Sequence, residues 1–206
     1  MTPSLTSTSS PAARPLDLAA LVGDAGWSRL PAAIRRRFAA GHRDTRYDGT
    51  MSLHCSPIGR VFAWLARAAG SPLAGANDDN VATQVRVFGD GAGGVVWQRD
   101  FAGRQCVRST KALDANGHLV ERTDGGLGMA LDVFESGGSL VFESRSFFLL
   151  IGARRWRLPV PWLLTPGTCR VTHTDLGGGR FRFTLAMTHP LWGRTFHQTG
   201  VFRDPT

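Results

Sequence analysis

The C-terminal stretch FRFTLAMTHPLWGRTFHQTGVFRD, Phe181–Asp204, decides the fold that we predict for this chain. Its two arms show apolar side chains at period two, and they flank a tight turn at residues 189–193. Period-two spacing places each set of side chains on one face of a strand. Two long strands at the end of a chain typically complete a sheet whose other strands come earlier. We therefore predict that this hairpin closes a barrel or a half-barrel.

The same alternation recurs along most of the chain, with short connections rich in Gly, Asn or Asp between the runs. Many strands joined by short turns form an antiparallel meander. A sheet of about ten strands curls or closes, because a flat sheet of that size leaves exposed edges. We predict strands at residues 47–55, 81–88, 94–102, 104–112, 117–123, 127–135, 139–149, 153–158, 168–176, 180–188 and 194–203.

Two helices are predicted near the N-terminus, where they can cover an open face or plug one mouth of the barrel. The first spans Arg29–Ala40, with Ser28 as its N-cap and Gly41 just past its end, and its arginines are expected in solvent. The second spans Gly59–Ala69. The expected buried stripes are Leu30, Ile34 and Phe38 on the first helix, and Ile58, Phe62, Leu65 and Ala69 on the second.

The chain divides into a tail and one domain. Residues 1–15 are rich in Ser, Thr, Pro and Ala without periodicity, which predicts a disordered tail. Residues 16–206 are predicted to form a single α+β domain dominated by the antiparallel sheet. Within it, the proline-rich segment LPVPWLLTP, residues 158–166, predicts a lid or a crossing loop.

The net charge of +8 comes almost entirely from arginine, since Lys111 is the sole lysine. Such a charge can indicate an anionic partner, but the arginines are scattered, which favours a bias in base composition together with ordinary solvated faces. Nucleic-acid binding needs a basic stripe interleaved with aromatic residues, and only residues 154–157, RRWR, offer one locally. A solvated edge strand accounts for that segment as well, so we do not expect nucleic-acid binding.

No cofactor or metal is expected. The glycines of residues 89–94 are followed by a strand-like run rather than a helix, so they predict a hairpin loop instead of a dinucleotide-binding loop. Cys169 and His173 would lie on one strand face about 13 Å apart, too far to share an ion. Cys55, Cys106 and Cys169 form no close pair, which is typical of reduced thiols. With no signal-peptide pattern and no membrane-length apolar run, we expect a cytoplasmic protein.

Five polar or aromatic residues are candidates for a ligand-binding site: Tyr47, Trp97, Arg99, Glu121 and His189. If Arg99 and Glu121 both point inward they must pair, because an unpaired buried charge costs several kcal/mol. Such a pair would anchor a ligand in an otherwise apolar cavity, and Tyr47 or His189 could add hydrogen bonds or proton transfer. The alternative is an exposed cross-strand pair, with His189 merely shaping a turn.

A set of short motifs is spread over residues 30–204: Tyr47-x-Gly49, a helix containing Leu65, Trp97-x-Arg99-x-Phe101, Leu119-Val120-Glu121, the run Gly125–Leu131, Leu158-Pro159 with Pro166-Gly167, and Phe181-x-Phe183 leading into His189-Pro190-Leu191-x-Gly193. Together they resemble a bacterial family called domain of unknown function 4166. The resemblance implies no mechanism. Family members occur alone and also fused behind reductase-like domains with a dinucleotide fold, so it suggests a separate reductase as a candidate partner.

We predict a mainly β fold, an antiparallel barrel or half-barrel that is lipocalin-like in kind, with the two N-terminal helices packed on it. A helix-grip fold competes, but it needs a long helix near the C-terminus, where only strands are predicted. The favoured function is binding of a small, largely apolar ligand, which would be anionic in view of Arg99. One alternative is a metal-independent enzyme with Glu121 or His189 as acid or base, working beside a reductase. Another is a protein-interaction module.

Overall fold

The computed structural model describes residues 14–39, 44–68, 75, 77–152 and 156–205. Residues 1–13 of the predicted tail lie outside this part, so the division into tail and domain stays a prediction. Gly41, Ala69 and residues 153–155, on which parts of the helix and strand predictions fall, lie outside it as well.

Four α-helices and eleven strands are formed by the described residues. The helices are α1 (Leu18–Val22), α2 (Asp24–Arg29), α3 (Ala32–Phe38) and α4 (Pro57–Ala68), with a 3₁₀ helix at Trp162–Leu164. The strands are β1 (Thr45–Cys55), β2 (Asp78–Gly89), β3 (Val95–Phe101), β4 (Gln105–Leu113), β5 (Leu119–Thr123), β6 (Leu127–Ser136), β7 (Ser139–Ile151), β8 (Trp156–Val160), β9 (Thr168–Gly177), β10 (Arg180–His189) and β11 (Gly193–Arg203).

Ten of the strands close an antiparallel barrel, and β8 is an additional strand outside the ring. Neighbours in sequence pair with each other from β1 to β7 and from β9 to β11, β11 returns to β1, and β7 pairs with β9. The predicted barrel is therefore confirmed, and its C-terminal hairpin closes the ring by pairing with the first strand. Closure removes the exposed edges that an open sheet of this size would leave.

Strand β7 divides its hydrogen bonds between two partners on one side. Leu140–Glu143 pair with β9, whereas Phe147–Ile151 pair with β8. The resulting β7–β8 hairpin leaves the barrel wall at the point where β9 separates from β7. The proline-rich segment predicted as a loop is therefore a strand in its first part, since β8 continues through Pro159 and Val160. An edge strand accepts a proline because one side of its backbone needs no partner.

The barrel has a closed end and an open end. The closed end, which carries the β2–β3, β6–β7 and β9–β10 turns, is covered by α1–α3: the amide of Leu16 donates to the carbonyl of Gly93 at 2.8 Å, and Arg29 binds Glu135 at 2.6 Å. The open end carries α4, the β5–β6 turn and the β10–β11 turn. Of the described helices, α1–α3 thus plug one mouth of the barrel, and α4 packs on β11 beside the other.

The predicted helix Arg29–Ala40 is divided into two shorter helices. Leu30 is extended, with ψ of 140°, and α3 begins only after Pro31. A proline disfavours helical geometry in the residue before it, which explains the break. Ser28 consequently caps no helix N-terminus and donates instead to the carbonyl of Ala25. The stripe of Leu30, Ile34 and Phe38 is buried as predicted.

Two side chains of the predicted helices are placed differently from expectation. Arg37 is not in solvent: its guanidinium binds Asp204 at 2.5 and 2.8 Å and Asp175 at 3.2 Å, which fastens α3 to the closed end. On α4, Leu65 is 45% exposed. The helix packs instead through Phe62 and the small residues around it, because Gly59 lies so close to β11 that a Cβ there would be 2.3 Å from the carbonyl oxygen of Thr195.

Candidate functional site

A cluster of charged side chains lies inside the barrel, on the neighbouring strands β3, β4 and β5. Lys111 and Glu121 are direct cross-strand partners, and the Lys111 Nζ lies 2.9 Å from a Glu121 carboxylate oxygen. The Ser109 hydroxyl donates to the other oxygen at 2.6 Å. The Arg99 guanidinium approaches that same oxygen only to 3.9 Å. All four residues are buried, because the side chains of alternate residues on these strands point into the barrel.

The cluster keeps Glu121 ionised. Burial by itself would raise the pKa of the carboxyl, but the charges of Lys111 and Arg99 and the hydrogen bond from Ser109 outweigh it and lower the pKa to about 2. Burial lowers the pKa of Lys111, and its pairing with Glu121 opposes that shift. A guanidinium stays protonated in proteins. With Lys111 protonated, two positive charges therefore face one negative charge.

His173 lies deeper in the barrel, inside a cage of aromatic rings. The nearest ring centroids are those of Phe38 at 4.8 Å and Phe183 at 5.4 Å. Its Nδ1 is buried and has no hydrogen-bond partner among the described residues. Burial, reinforced by the positive charges of Lys111, Arg99 and Arg37, lowers the pKa of His173 well below 6.5. The imidazole is therefore neutral at pH 7.

Arg99 separates two cavities within the barrel. The larger, of about 80 Å³, lies toward the open end and is walled by apolar side chains together with five polar residues, Arg99, Ser109, Glu121, Arg122 and Thr123. The deeper one, of about 20 Å³, is lined by Tyr47, Trp97, Arg99, His173 and aromatic neighbours. The charged residues that line the larger cavity are Arg99, Glu121 and Arg122, and most of its other wall residues are apolar.

His189 occupies a different place, at the open end and outside the barrel interior. Its imidazole is stacked between the indoles of Trp162 and Trp192, with ring centroids at 5.4 and 4.0 Å. The Nδ1 accepts a hydrogen bond from the amide of Leu191, and the buried Nε2 has no partner among the described residues. The residue lines an outer groove of about 250 Å³ between β7, the 3₁₀ helix and the β10–β11 turn.

The structure therefore brings four of the five candidate residues together and sets the fifth apart. Arg99 and Glu121 point into the barrel, as the hypothesis of a buried ligand anchor required. The close partner of Glu121 is Lys111, however, and not Arg99. Tyr47 and Trp97 line the deeper cavity, and Tyr47 packs edge-on against Phe181. Burial, followed by the charge of Asp204, raises the pKa of the Tyr47 hydroxyl.

Sequence reasoning missed Lys111 and His173, and a signal existed for both. Lys111 and Glu121 lie at equal distances from the turn between β4 and β5, so the hairpin register places them opposite each other. His173 shares its strand face with Cys169, a residue typical of protein interiors. Burial raises the pKa of the Cys169 thiol to about 12, with Glu121 adding to the shift, so this thiol is unreactive.

The glycines of residues 89–94 form the predicted hairpin loop, with β3 following them. Within the described ranges no three His, Cys, Asp or Glu side chains stand close enough together to hold a metal ion. The helices in these ranges include none long and apolar enough to cross a membrane.

Comparison with known proteins agrees with the motifs. A family model described as Domain of unknown function (DUF4166) matches residues 30–202, which include all eleven strands except the last residue of β11. No curated protein and no solved structure matches the chain. Since the match covers most of its length, the chain belongs to the DUF4166 family.

Proposed function

We propose that this protein binds a small, largely apolar molecule with an acidic group inside the barrel. The observation that carries the proposal is the buried cluster of Arg99, Lys111 and Glu121, which lies against an apolar cavity at the open end. Cavities with apolar walls and a few convergent polar groups are typical ligand sites.

The charges of the cluster favour an anionic ligand. Glu121 is already engaged by Lys111 and by Ser109, whereas the Arg99 guanidinium lies 3.9 Å from the carboxylate and 5.6 Å from the centre of the Phe183 ring. A buried cation without a full partner is costly, and a ligand carboxylate would supply the missing charge and hydrogen bonds. The Nδ1 of His173 offers a further polar contact to a group that reaches past Arg99.

The shape of the cavities favours an apolar body behind that acidic group. A further cavity, of about 150 Å³, adjoins the 80 Å³ cavity, and Leu127, Phe147 and Pro166 line both. It is walled by α4, the β7–β8 hairpin and the 3₁₀ helix, whose side chains there are almost all apolar. Burying hydrocarbon against such walls contributes roughly 25 cal/mol per Å². We therefore expect the acidic group at Arg99 and the apolar part toward the open end.

Binding is placed ahead of catalysis because the candidate acid and base do not share a cavity. Glu121 lines the inner cavity and His189 the outer groove. With a pKa of about 2, Glu121 has no proton to donate at neutral pH, and its oxygens are occupied by Lys111 and Ser109. An enzymatic role stays an alternative that measured turnover would establish.

The test compares ligand binding by variants of Arg99, which points into the barrel, and of Arg108, which points out of it. Native mass spectrometry of the purified protein first identifies a bound molecule, and a fluorescent fatty acid is then titrated into the emptied protein. Arg99→Gln should weaken binding about 10- to 100-fold, since a hydrogen bond to a charged group is worth about 1.5–3 kcal/mol. Arg108→Gln, at a half-exposed arginine on β4, should leave binding unchanged. Equal affinity for the acid and for its neutral alcohol analogue would contradict an anion site.

A further inference from the structure

Exposed apolar side chains are concentrated at the open end of the barrel. Of the twelve large hydrophobic side chains that are exposed in the described part of the chain, eleven lie in three segments: residues 57–68, the described residues of 147–165 (147–152 and 156–165), and 189–194. We call these segments the rim. The twelfth is Val201, on the outer wall of β11. Large exposed apolar patches on a protein mark interaction sites, so this distribution needs a partner.

The β7–β8 hairpin forms one side of the rim. Ile151 is paired with Trp156 and Leu149 with Leu158, so these side chains lie on one face of the hairpin. That face continues into the wall of the 150 Å³ cavity through Leu149 and Val160. Trp156 at its tip is 70% exposed.

Helix α4 and two turns complete the rim. Trp64 on α4 is 67% exposed, and its neighbour Leu65 lines the same cavity as Leu164 of the 3₁₀ helix. The Trp192 indole packs against Phe62 of α4 at 5.6 Å, and it stacks on His189. The apolar residues of the three segments therefore surround one opening rather than lying in separate places.

The charge of the rim has a single sign. The described residues of its three segments include four arginines, Arg60, Arg67, Arg157 and Arg194, and no aspartate or glutamate. Tryptophan and leucine beside arginine are typical of surfaces that enter the headgroup region of a bilayer, where indoles are favoured and basic side chains meet anionic lipids.

We propose that the rim docks on the surface of an anionic lipid bilayer, with the open end of the barrel facing the membrane. The protruding indoles of Trp64 and Trp156 enter the headgroup region, and the arginines contact anionic headgroups. This docking depends on the rim and not on the interior cluster, so it goes beyond the proposed ligand site and can be tested apart from it. It would place the cavity where an amphiphile could pass from the bilayer into the barrel.

The experiment is flotation with phosphatidylcholine vesicles with and without phosphatidylglycerol. The wild-type protein should float with the anionic vesicles, less so at high salt, and brominated phospholipid should quench its tryptophan fluorescence. The double variant Trp64→Ser/Trp156→Ser should lose binding by about tenfold or more, whereas Val201→Ser, at an exposed apolar residue outside the rim, should bind like wild type. All three proteins should show the same thermal midpoint, because the changed side chains are exposed.

Failure of the docking proposal can be told from failure of the ligand site. Arg99→Gln should float like wild type, and the double variant should bind the fatty acid unchanged in vesicle-free solution. If the wild-type protein does not float with anionic vesicles, or if the double variant floats equally well, the proposal is wrong. A wild-type dimer that becomes a monomer in the double variant would also overturn it, since the rim would then be an interface between two copies.

Discussion

His173 is the residue whose protonation would disturb the interior most, because its cage of aromatic rings offers no counter-charge. Its pKa is lowered in the folded protein from 6.5, by burial first and then by Lys111, Arg99 and Arg37. The unfolded chain therefore takes up the proton first as the pH falls. The stabilisation of the folded state that the neutral His173 contributes is complete above about pH 6.5. It is lost as the pH falls below that value, at up to about 1.4 kcal/mol per pH unit.

We predict that the free energy of unfolding in urea falls between pH 7 and pH 5 in the wild-type protein and that His173→Phe flattens this dependence. The pKa of Glu121 is also lowered, from 4.5 to about 2. The stabilisation that ionised Glu121 contributes is lost only below about pH 4.5, outside the range of this measurement. His197, whose pKa is lowered by burial and by Arg194, provides the control. If His197→Gln removes the pH dependence and His173→Phe does not, the assignment to the aromatic cage is wrong.

For single residues, the sequence predicts which side chains face into the barrel better than it predicts which side chains they contact. Alternation placed Arg99 and Glu121 inside, because parity along a strand is a local property. The prediction paired Arg99 with Glu121, whereas the register of the β4–β5 hairpin pairs Glu121 with Lys111. The environment of His173 depends on Phe38, which reaches it from α3. Contacts of that kind come from tertiary packing, which one strand pattern does not contain.

Helix α3 is anchored to the barrel by the side chain of Arg37. Arg37 joins it to Asp175 and Asp204 and lies over the ring of Phe181 at 4.3 Å. Arg37→Met should lower the free energy of unfolding by about 2 kcal/mol, since hydrogen bonds to charged groups are lost while both carboxylates keep access to water. Arg35→Met, at an exposed arginine of the same helix, should change it by less than about 0.5 kcal/mol. Equal effects in chemical denaturation would contradict the anchoring role.

Elements were predictable where the local pattern and the packing agree. All eleven strands were predicted, within three residues at each end, because apolar and polar side chains alternate along them. The helix predicted at residues 29–40 was wrong in crossing Pro31. The proline was a local signal that the chain breaks between α2 and α3. The exposure of Leu65 had no such signal, since the face that α4 buries is set by the close approach of Gly59 to β11.

For the whole molecule, alternation indicated a curved sheet and left open whether it closes. The barrel closes because β7 pairs with β6 on one side and with β9 on the other. Strand β8 pairs with a different part of β7, on the same side as β9, and leaves the wall there. The β7–β9 pairs join residues far apart in sequence, unlike those of the β6–β7 hairpin, and a list of strands does not determine them. The difference between the plugged end and the open end follows from where α1–α3 and α4 attach, which only the assembled barrel shows.

The divided pairing of β7 gives the wall one weak line. Strand β9 meets β10 along nearly its whole length but meets β7 over four residue pairs, after which Cys169 donates to the Ser144 hydroxyl rather than to a backbone carbonyl. Local openings occur where few hydrogen bonds must break together. In amide hydrogen exchange, we predict that alternate amides of residues 170–173 fall into two classes, with those bonded to β7 exchanging faster than those bonded to β10. Uniform protection would contradict this; two classes would mean that the cylinder unzips along one line before it unfolds.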